Sequence, residues 1–134
     1  MSWIEIGLED GRTAYRPGEE VTGAVAWAIE EGEPPASAEV RLVWFTRGHG
    51  DPSSELVAAA ELPSPAALDR REFSLRLPEG PYSFTGKLIT LVWAVEVVVE
   101  PGGRSEREEI VVSPTGRLVR LHGDGGSGGG SGGD

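Results

Sequence analysis

His49 and Asp51 are the strongest candidates in this sequence for acid–base catalysis or metal binding. A histidine beside a carboxylate can act as a general base, and the two side chains together can bind a metal ion. The only other histidine, His122, lies far along the chain, whereas a zinc site needs three or four protein ligands. The segment Gly48–Asp51 is therefore interpreted as a flexible hairpin loop, and no catalytic or metal site is assigned to it.

Other catalytic patterns are also missing from the part of the sequence that we expect to fold. There are no cysteines, which excludes a thiol nucleophile, a thiolate metal site and a disulfide scaffold. Gly86-Lys87 leads into Leu88, so it is not a phosphate-binding loop. Adjacent carboxylates such as Glu108-Glu109 point to opposite faces of a strand, and we interpret them as solvated edge protection. The sequence predicts no enzymatic activity, no cofactor and no metal.

The charge balance limits the possible partners. The chain has 22 acidic and 12 basic residues and a net charge of −10, which disfavours nucleic acid and anionic membrane. Its longest apolar-rich stretch, Leu88–Val99, contains Glu96 and is shorter than the roughly 20 residues of a membrane helix. The opening residues, MSWIEIGLED, have no basic region followed by an apolar run. We therefore expect a cytoplasmic protein with no integral membrane segment.

Apolar residues recur with a period of two, which is typical of strands with one face in a core. The clearest alternating runs are Ile4–Leu8, Val21–Ile29, Val40–Trp44, Phe73–Leu77 and Ile89–Val99. Turn residues separate these runs, among them Asp10-Gly11, a good hairpin pair, and Arg16-Pro17-Gly18-Glu19, a type II pattern. The fold class predicted is all-β, a two-sheet antiparallel immunoglobulin-like sandwich.

Two segments need separate interpretations. Glu55–Glu61 contains three alanines that favour a helix, but Pro63 and Pro65 follow it, so we interpret it as an edge strand. From His122 the chain is rich in glycine and serine and has no apolar side chain. The predicted organisation is one domain over residues 1–121, followed by a flexible tail over residues 122–134.

Two motifs in order resemble arrestin-like domains. Tyr15–Val25, YRPGEEVTGAV, is similar to that family's aromatic-x-Pro-Gly-Glu-x-Val-x-Gly-x-Val entrance to an early core strand. Leu77–Val99 resembles its Leu-Pro, Pro-x-Ser-Phe and long following strand. The resemblance covers about residues 3–113 and extends to small bacterial arrestin-fold proteins of the sporulation-control type. It implies an arrestin-type sandwich and a scaffold that binds partners along its sheets and loops. On physical grounds, we expect Gly23 to make room for a large neighbour such as Trp93.

The large apolar side chains supply the candidate binding residues. Trp27, Trp44 and Trp93 are in phase with inward-facing residues and are predicted to lie in the core. Trp3 is out of phase with its strand, so it is either an exposed anchor or packed under the C-terminal tail. Phe45 alternates to the face opposite Trp44, and Leu56 lies in the predicted edge strand. Trp3, Phe45 and Leu56 are therefore the predicted partner-binding residues.

The functional hypothesis is a non-catalytic protein–protein interaction module, a scaffold or adaptor that binds through sheet edges or loops. The acidic charge indicates a neutral or basic protein partner. The alternative is a carbohydrate-binding accessory domain, because sandwiches with exposed tryptophans bind sugar rings. The sequence leaves the partner's identity and the oligomeric state open.

Overall fold

A computed structural model describes residues 1–115 and 117–120 of the chain. Its strands are β1 Trp3–Leu8, β2 Ala14–Tyr15, β3 Glu20–Ala28, β4 Ser37–Gly48, β5 Ser54–Glu61, β6 Leu68–Arg76, β7 Phe84–Thr85, β8 Ile89–Glu100, β9 Arg104–Val112 and β10 Val119–Arg120. A 3-10 turn, Glu9–Gly11, follows β1. The predicted end of the domain at residue 121 and the predicted tail, 122–134, lie outside the described residues.

The smaller sheet has the order β1-β3-β6 and is antiparallel throughout. Its central strand, β3, turns Val21, Val25 and Trp27 toward the core, and all three side chains are fully buried. The intervening residues are mostly small and lie on the outer face. This alternation between core and outer face is the physical result of the period of two in the sequence.

The larger sheet is built around β8. This strand pairs antiparallel with all of β4, from Ser37 opposite Glu100 to Gly48 opposite Ile89. On its other side, β8 pairs with β9 over most of its length and with β7 near its start. Strand β5 lies outside β4, at the edge of the sheet. Two pairings of two residues each, β2 with β9 and β7 with β10, are parallel.

The core lies between the inner faces of the two sheets. Trp27 and Trp93 are fully buried, and their indole N–H groups donate to the carbonyls of Ala66 (2.7 Å) and Pro81 (2.8 Å). These bonds satisfy the one polar atom that each buried indole carries. Trp44 packs against the same core but is only partly buried. The predicted core positions of Trp27 and Trp93 are therefore confirmed, and Trp44 lies at the margin of the core.

The Pro-Gly turn before β3 has the predicted geometry. Gly18 has a φ of 83°, and the Glu19 N–H donates to the Arg16 carbonyl at 3.1 Å. The Glu19 carboxylate accepts from the Arg12 guanidinium at 2.9 Å and from the Arg16 N–H at 2.7 Å. The bond from Arg12, followed by that from Arg16, lowers the pKa of Glu19. The turn is thus held by a local ion pair as well as by its backbone.

The structure corrects the role of Gly23. A Cβ at this position would lie 2.3 Å from the Gly7 carbonyl oxygen and 3.0 Å from the Leu8 Cα. Gly23 therefore makes room for the backbone of β1, and none of the three atoms nearest to this Cβ belongs to Trp93. The reason is that β1 is the paired neighbour of β3, with Leu8 directly opposite Gly23, so the closest atoms come from strand pairing and not from the core.

The predicted hairpin at Asp10-Gly11 is wrong. Both residues do have positive φ values, 58° and 64°, as a tight turn requires. However, β1 pairs with β3, while β2 pairs with β9 of the other sheet. The turn therefore carries the chain from one sheet to the other, because turn residues determine how sharply a chain bends but not which strand follows as a partner.

Candidate partner-binding surfaces

The three predicted binding residues occupy two opposite surfaces of the molecule. Phe45 is paired with Ser54, and Leu56 with Val43, so Phe45 and Leu56 are diagonal neighbours on the outer face of the larger sheet. Trp3 is paired with Ala28 and lies on the outer face of the smaller sheet. Trp3 is 44% exposed and Leu56 is 48% exposed. Trp3 is therefore exposed in the described structure, while the alternative that it packs under the C-terminal tail lies outside the described residues. The three residues do not form one site.

Phe45 lies in a network of arginines on the outer face of the larger sheet. The guanidinium carbons of Arg107 and Arg47 are 4.6 and 5.1 Å from its ring centroid. Arg107 also pairs with Glu96 at 3.2 Å, and Arg47 pairs with Glu109. Cations over an aromatic face are attracted by the ring quadrupole. The charges on this face of β9 are thus matched within the domain, and they partly cover Phe45.

The edge strand β5 bears Leu56 and contains an irregularity. Its pairing with β4 shifts by one residue between Leu42 and Val43, so Val57 is an extra residue in β5. A bulge of this kind bends an edge strand and breaks the regular spacing of its hydrogen-bonding groups. The predicted edge-strand assignment is confirmed, and the bulge makes this edge a poor template for an ordinary regular strand.

Strand β1 is a second edge, and its pairing is regular. Residues Trp3 to Leu8 pair with β3 without a bulge, and the opposite side of β1 has no backbone partner among the described strands. Its inward-facing side chains, Ile4, Ile6 and Leu8, pack against the core yet are only partly buried. This edge therefore offers both unpaired peptide groups and apolar surface that remains to be covered.

Two carboxylates face the same side of the sandwich as β1. Glu106 is opposite Val97 and Glu108 is opposite Val95, so both belong to the inner face of β9, which lies alongside β1. Both are exposed, and within the described residues neither carboxylate has a cationic nitrogen within 4.0 Å. The side between β1 and β9, called here the β1–β9 side, is therefore open, acidic and partly apolar.

The opposite side of the sandwich is closed by an ion pair. The Arg71 guanidinium donates to both carboxylate oxygens of Asp69 at 2.9 Å and to the carbonyls of Pro63 (2.9 Å) and Ser64 (3.0 Å). The Ala66 N–H donates to Asp69 at 2.8 Å. The bond from Arg71, and then that from Ala66, lowers the pKa of Asp69. Arg71 and Asp69 therefore stabilise the loop between β5 and β6 through hydrogen bonds to its backbone.

The outer face of the smaller sheet forms a shallow trough of about 800 Å³. Gly7, Ala24 and Ala26 make its floor, and Glu5 and Glu72 are among the charged residues at its margin. Trp3 does not line this trough, although it lies on the same face. Within the described residues, Trp3 therefore does not form an aromatic platform over this trough, which is the arrangement expected for the carbohydrate-binding alternative.

The loop bearing His49 and Asp51 is exposed. Across the described residues, no three His, Cys, Asp or Glu side chains are grouped closely enough to hold a metal ion. The same portion of the chain contains no helix that is long and apolar enough to cross a membrane.

Glu106 and Glu108 are candidate binding residues that the sequence analysis above does not predict. A signal for them was present, because they are in phase with Ile110 and Val112, which are buried on the inner face. An acidic residue in phase with core residues marks a place where the core is open to solvent. The adjacent pair Glu108-Glu109 alone does not reveal this, because its two carboxylates lie on opposite faces of β9.

No protein-family model and no curated protein matches the chain. Among solved structures, it is similar to Spo0M, the sporulation control protein of Bacillus subtilis, with 21% sequence identity and a TM-score of 0.63. The match covers 84% of this chain and 49% of Spo0M, so the chain spans about half the length of that protein. The predicted arrestin-type β-sandwich, of the kind found in sporulation-control proteins, is thereby confirmed as the fold of this chain.

Proposed function

We propose that the chain is a non-catalytic protein-interaction module that binds an extended segment of a partner protein along the free edge of β1. The observation that carries this proposal is the regular edge of β1, which has no backbone partner among the described strands and bears the half-covered Ile4, Ile6 and Leu8. Strand addition would satisfy the free peptide groups and bury these side chains in one step. The likeness in fold to a sporulation control protein supports a regulatory or scaffolding role.

The charges on the β1–β9 side support a basic partner. A strand added beside β1 would turn every second side chain inward, between Ile4 and Ile6 on one side and Glu106 and Glu108 on the other. Lysine and arginine fit this position, because their aliphatic stems can cover the isoleucines while the charged ends reach the carboxylates. The net charge of −10 acts in the same direction at long range.

The test uses two synthetic eight-residue peptides, one alternating lysine with valine and one alternating glutamate with valine. The lysine peptide should bind, and hydrogen exchange followed by NMR should show new protection at those β1 amides that point away from β3. The glutamate peptide should not bind. Protection confined to loops, or equal binding of both peptides, would contradict strand addition at this edge.

A pair of matched variants tests the carboxylates. Glu106→Gln with Glu108→Gln should weaken binding of the lysine peptide by about tenfold or more, since two charge-assisted contacts are lost. Glu55→Gln with Glu61→Gln removes the same charge from β5, on the other side of the sandwich, and should change the affinity little. If both pairs weaken binding equally, the attraction is general and the β1–β9 side is not the site.

A further inference from the structure

The free edge of β5 has a hydrogen-bonding pattern that can be derived from its pairing with β4. At one end of the pairing, the Leu62 N–H donates to the Ala38 carbonyl at 2.9 Å, and at the other the Thr46 N–H donates to the Ser53 carbonyl at 2.9 Å. In an antiparallel ladder, hydrogen-bonded and non-hydrogen-bonded residue pairs alternate. These two bonds therefore establish, from each end, which residues of β5 direct their peptide groups toward β4.

The alternation leaves four residues of β5 with peptide groups that point away from β4. Counting from Leu62, the groups of Ala59 and Glu61 are free, and counting from Ser53, those of Ser54 and Leu56 are free. Within each pair the spacing is two residues, but from Leu56 to Ala59 it is three, because the bulge inserts Val57. A regular strand has free groups at every second residue. It can therefore match only one half of this edge at a time.

We infer that the occupant of the β5 edge is a second copy of the same chain, paired antiparallel about a two-fold axis. The proposed register places Leu56 opposite Ala59 of the second copy and Ser54 opposite Glu61 of the second copy. The three-residue gap in one copy then faces the same gap in the other. All four free residues obtain a partner, and the bulge that excludes a regular strand is accommodated by its own symmetry mate.

The side chains are compatible with this register. Leu56, which is 48% exposed, meets an alanine and loses contact with water. Glu61 faces a serine and Glu55 faces Ala60, so no carboxylate is placed directly opposite another across the new pair of strands. The pairing joins the larger sheets of two molecules edge to edge. It leaves the β1–β9 side free, so this inference is independent of the proposed partner binding.

Cysteine cross-linking tests the register, because the chain has no cysteines of its own. Directly opposite residues of an antiparallel pair have Cα atoms about 5.5 Å apart where they are hydrogen-bonded, as Leu56 and Ala59 would be, and about 4.5 Å apart where they are not, as for Glu55 and Ala60. Both distances lie within the range that a disulfide spans. Under mild oxidation, the double variant Leu56→Cys/Ala59→Cys should form a covalent dimer on non-reducing gels. Glu55→Cys/Ala60→Cys obeys the same register and should do so too, which protects the test if one double variant fails to fold.

The control variants place cysteines on the same face of β5, but not at positions that lie opposite each other in the proposed register. Leu56→Cys alone, Ala59→Cys alone and Leu56→Cys/Glu61→Cys should remain monomeric on the same gels, because none places two thiols opposite each other. Wild-type chain in light scattering should show twice the mass of one chain at high concentration. A wild-type chain that stays monomeric throughout, or cross-linking that is as efficient in the controls as in the matched pairs, would overturn the inference.

Discussion

Trp93 lies in the central strand of the larger sheet and belongs to the core. It is fully buried, lies opposite Trp44 in β4 and Ile110 in β9, and donates its indole N–H to Pro81. We predict that Trp93→Ala lowers the free energy of unfolding by about 3–5 kcal/mol, because it leaves a large cavity and an unpaired carbonyl. Urea denaturation measures this loss. A loss well under 1 kcal/mol would contradict the core position.

The exposed Trp3 provides the matched control for that measurement. It is 44% exposed and has no indole hydrogen bond among the described residues. Trp3→Ala should therefore change stability by less than about 1 kcal/mol.

Asp69 is the residue whose titration should be visible in the stability of the fold. Its pKa is lowered by the hydrogen bond from Arg71 and then by that from Ala66, so folding favours the ionised form. The stability gained is present above the unfolded-state pKa of about 3.9 and is lost as pH falls through the lower folded value. We predict that the stability difference between wild type and Asp69→Asn shrinks as pH falls below about 4. Urea melts at several pH values will measure it, and a constant difference would contradict the assignment.

At the scale of elements, the approach of β1 to β3 depends on Gly23. We predict that Gly23→Ala destabilises the fold by about 1–3 kcal/mol, because the new Cβ would meet the Gly7 carbonyl at 2.3 Å and the backbone must shift. Gly7→Ala is the control, since a Cβ at Gly7 meets nothing within 4 Å. Thermal unfolding of both variants compares them directly. Equal melting temperatures would show that β1 is free to move away from β3.

The directions of the β5 peptide groups lead to a second prediction at the scale of elements. Ala60 directs its N–H toward β4, whereas Ala59 directs its N–H away from β4, by the alternation derived above. Ala60→Pro should therefore lower stability by at least about 2 kcal/mol, because it removes a ladder hydrogen bond. Ala59→Pro should lower it by less than about 1 kcal/mol. Urea denaturation at low protein concentration measures both losses. A larger loss for Ala59→Pro than for Ala60→Pro would show that the assigned directions of the β5 peptide groups are wrong.

For the whole molecule, charge is distributed unevenly around the sandwich. The outer face of β9 carries ion pairs such as Arg107 with Glu96, while Glu106 and Glu108 on its inner face have no such partner among the described residues. We predict that binding of the lysine–valine peptide weakens steadily as salt is raised from about 0.05 to 0.5 M, because screening shortens the reach of these charges. Calorimetric titrations measure the slope. An affinity that does not depend on salt would indicate apolar docking instead.

Much of the fold was predictable from residue types alone. The period of two identified the strands and the faces of Trp27 and Trp93, because a pleated backbone forces alternate side chains to opposite sides. The Pro17-Gly18 turn was predictable because Gly accepts a positive φ without steric cost. The exposure of Leu56 was also predictable, since proline residues after β5 favour an edge position.

Strand pairing and the geometry of the binding surfaces were decided by tertiary structure. Asp10-Gly11 has the residues of a hairpin turn, yet β1 and β2 belong to different sheets, because pairing depends on long-range packing that local residues do not encode. For the same reason the sequence could not show that Phe45 and Leu56 share one face while Trp3 lies on the other sheet. The bulge at Val57 and the open position of Glu106 arise only when strands of different lengths and curvatures are stacked into a sandwich.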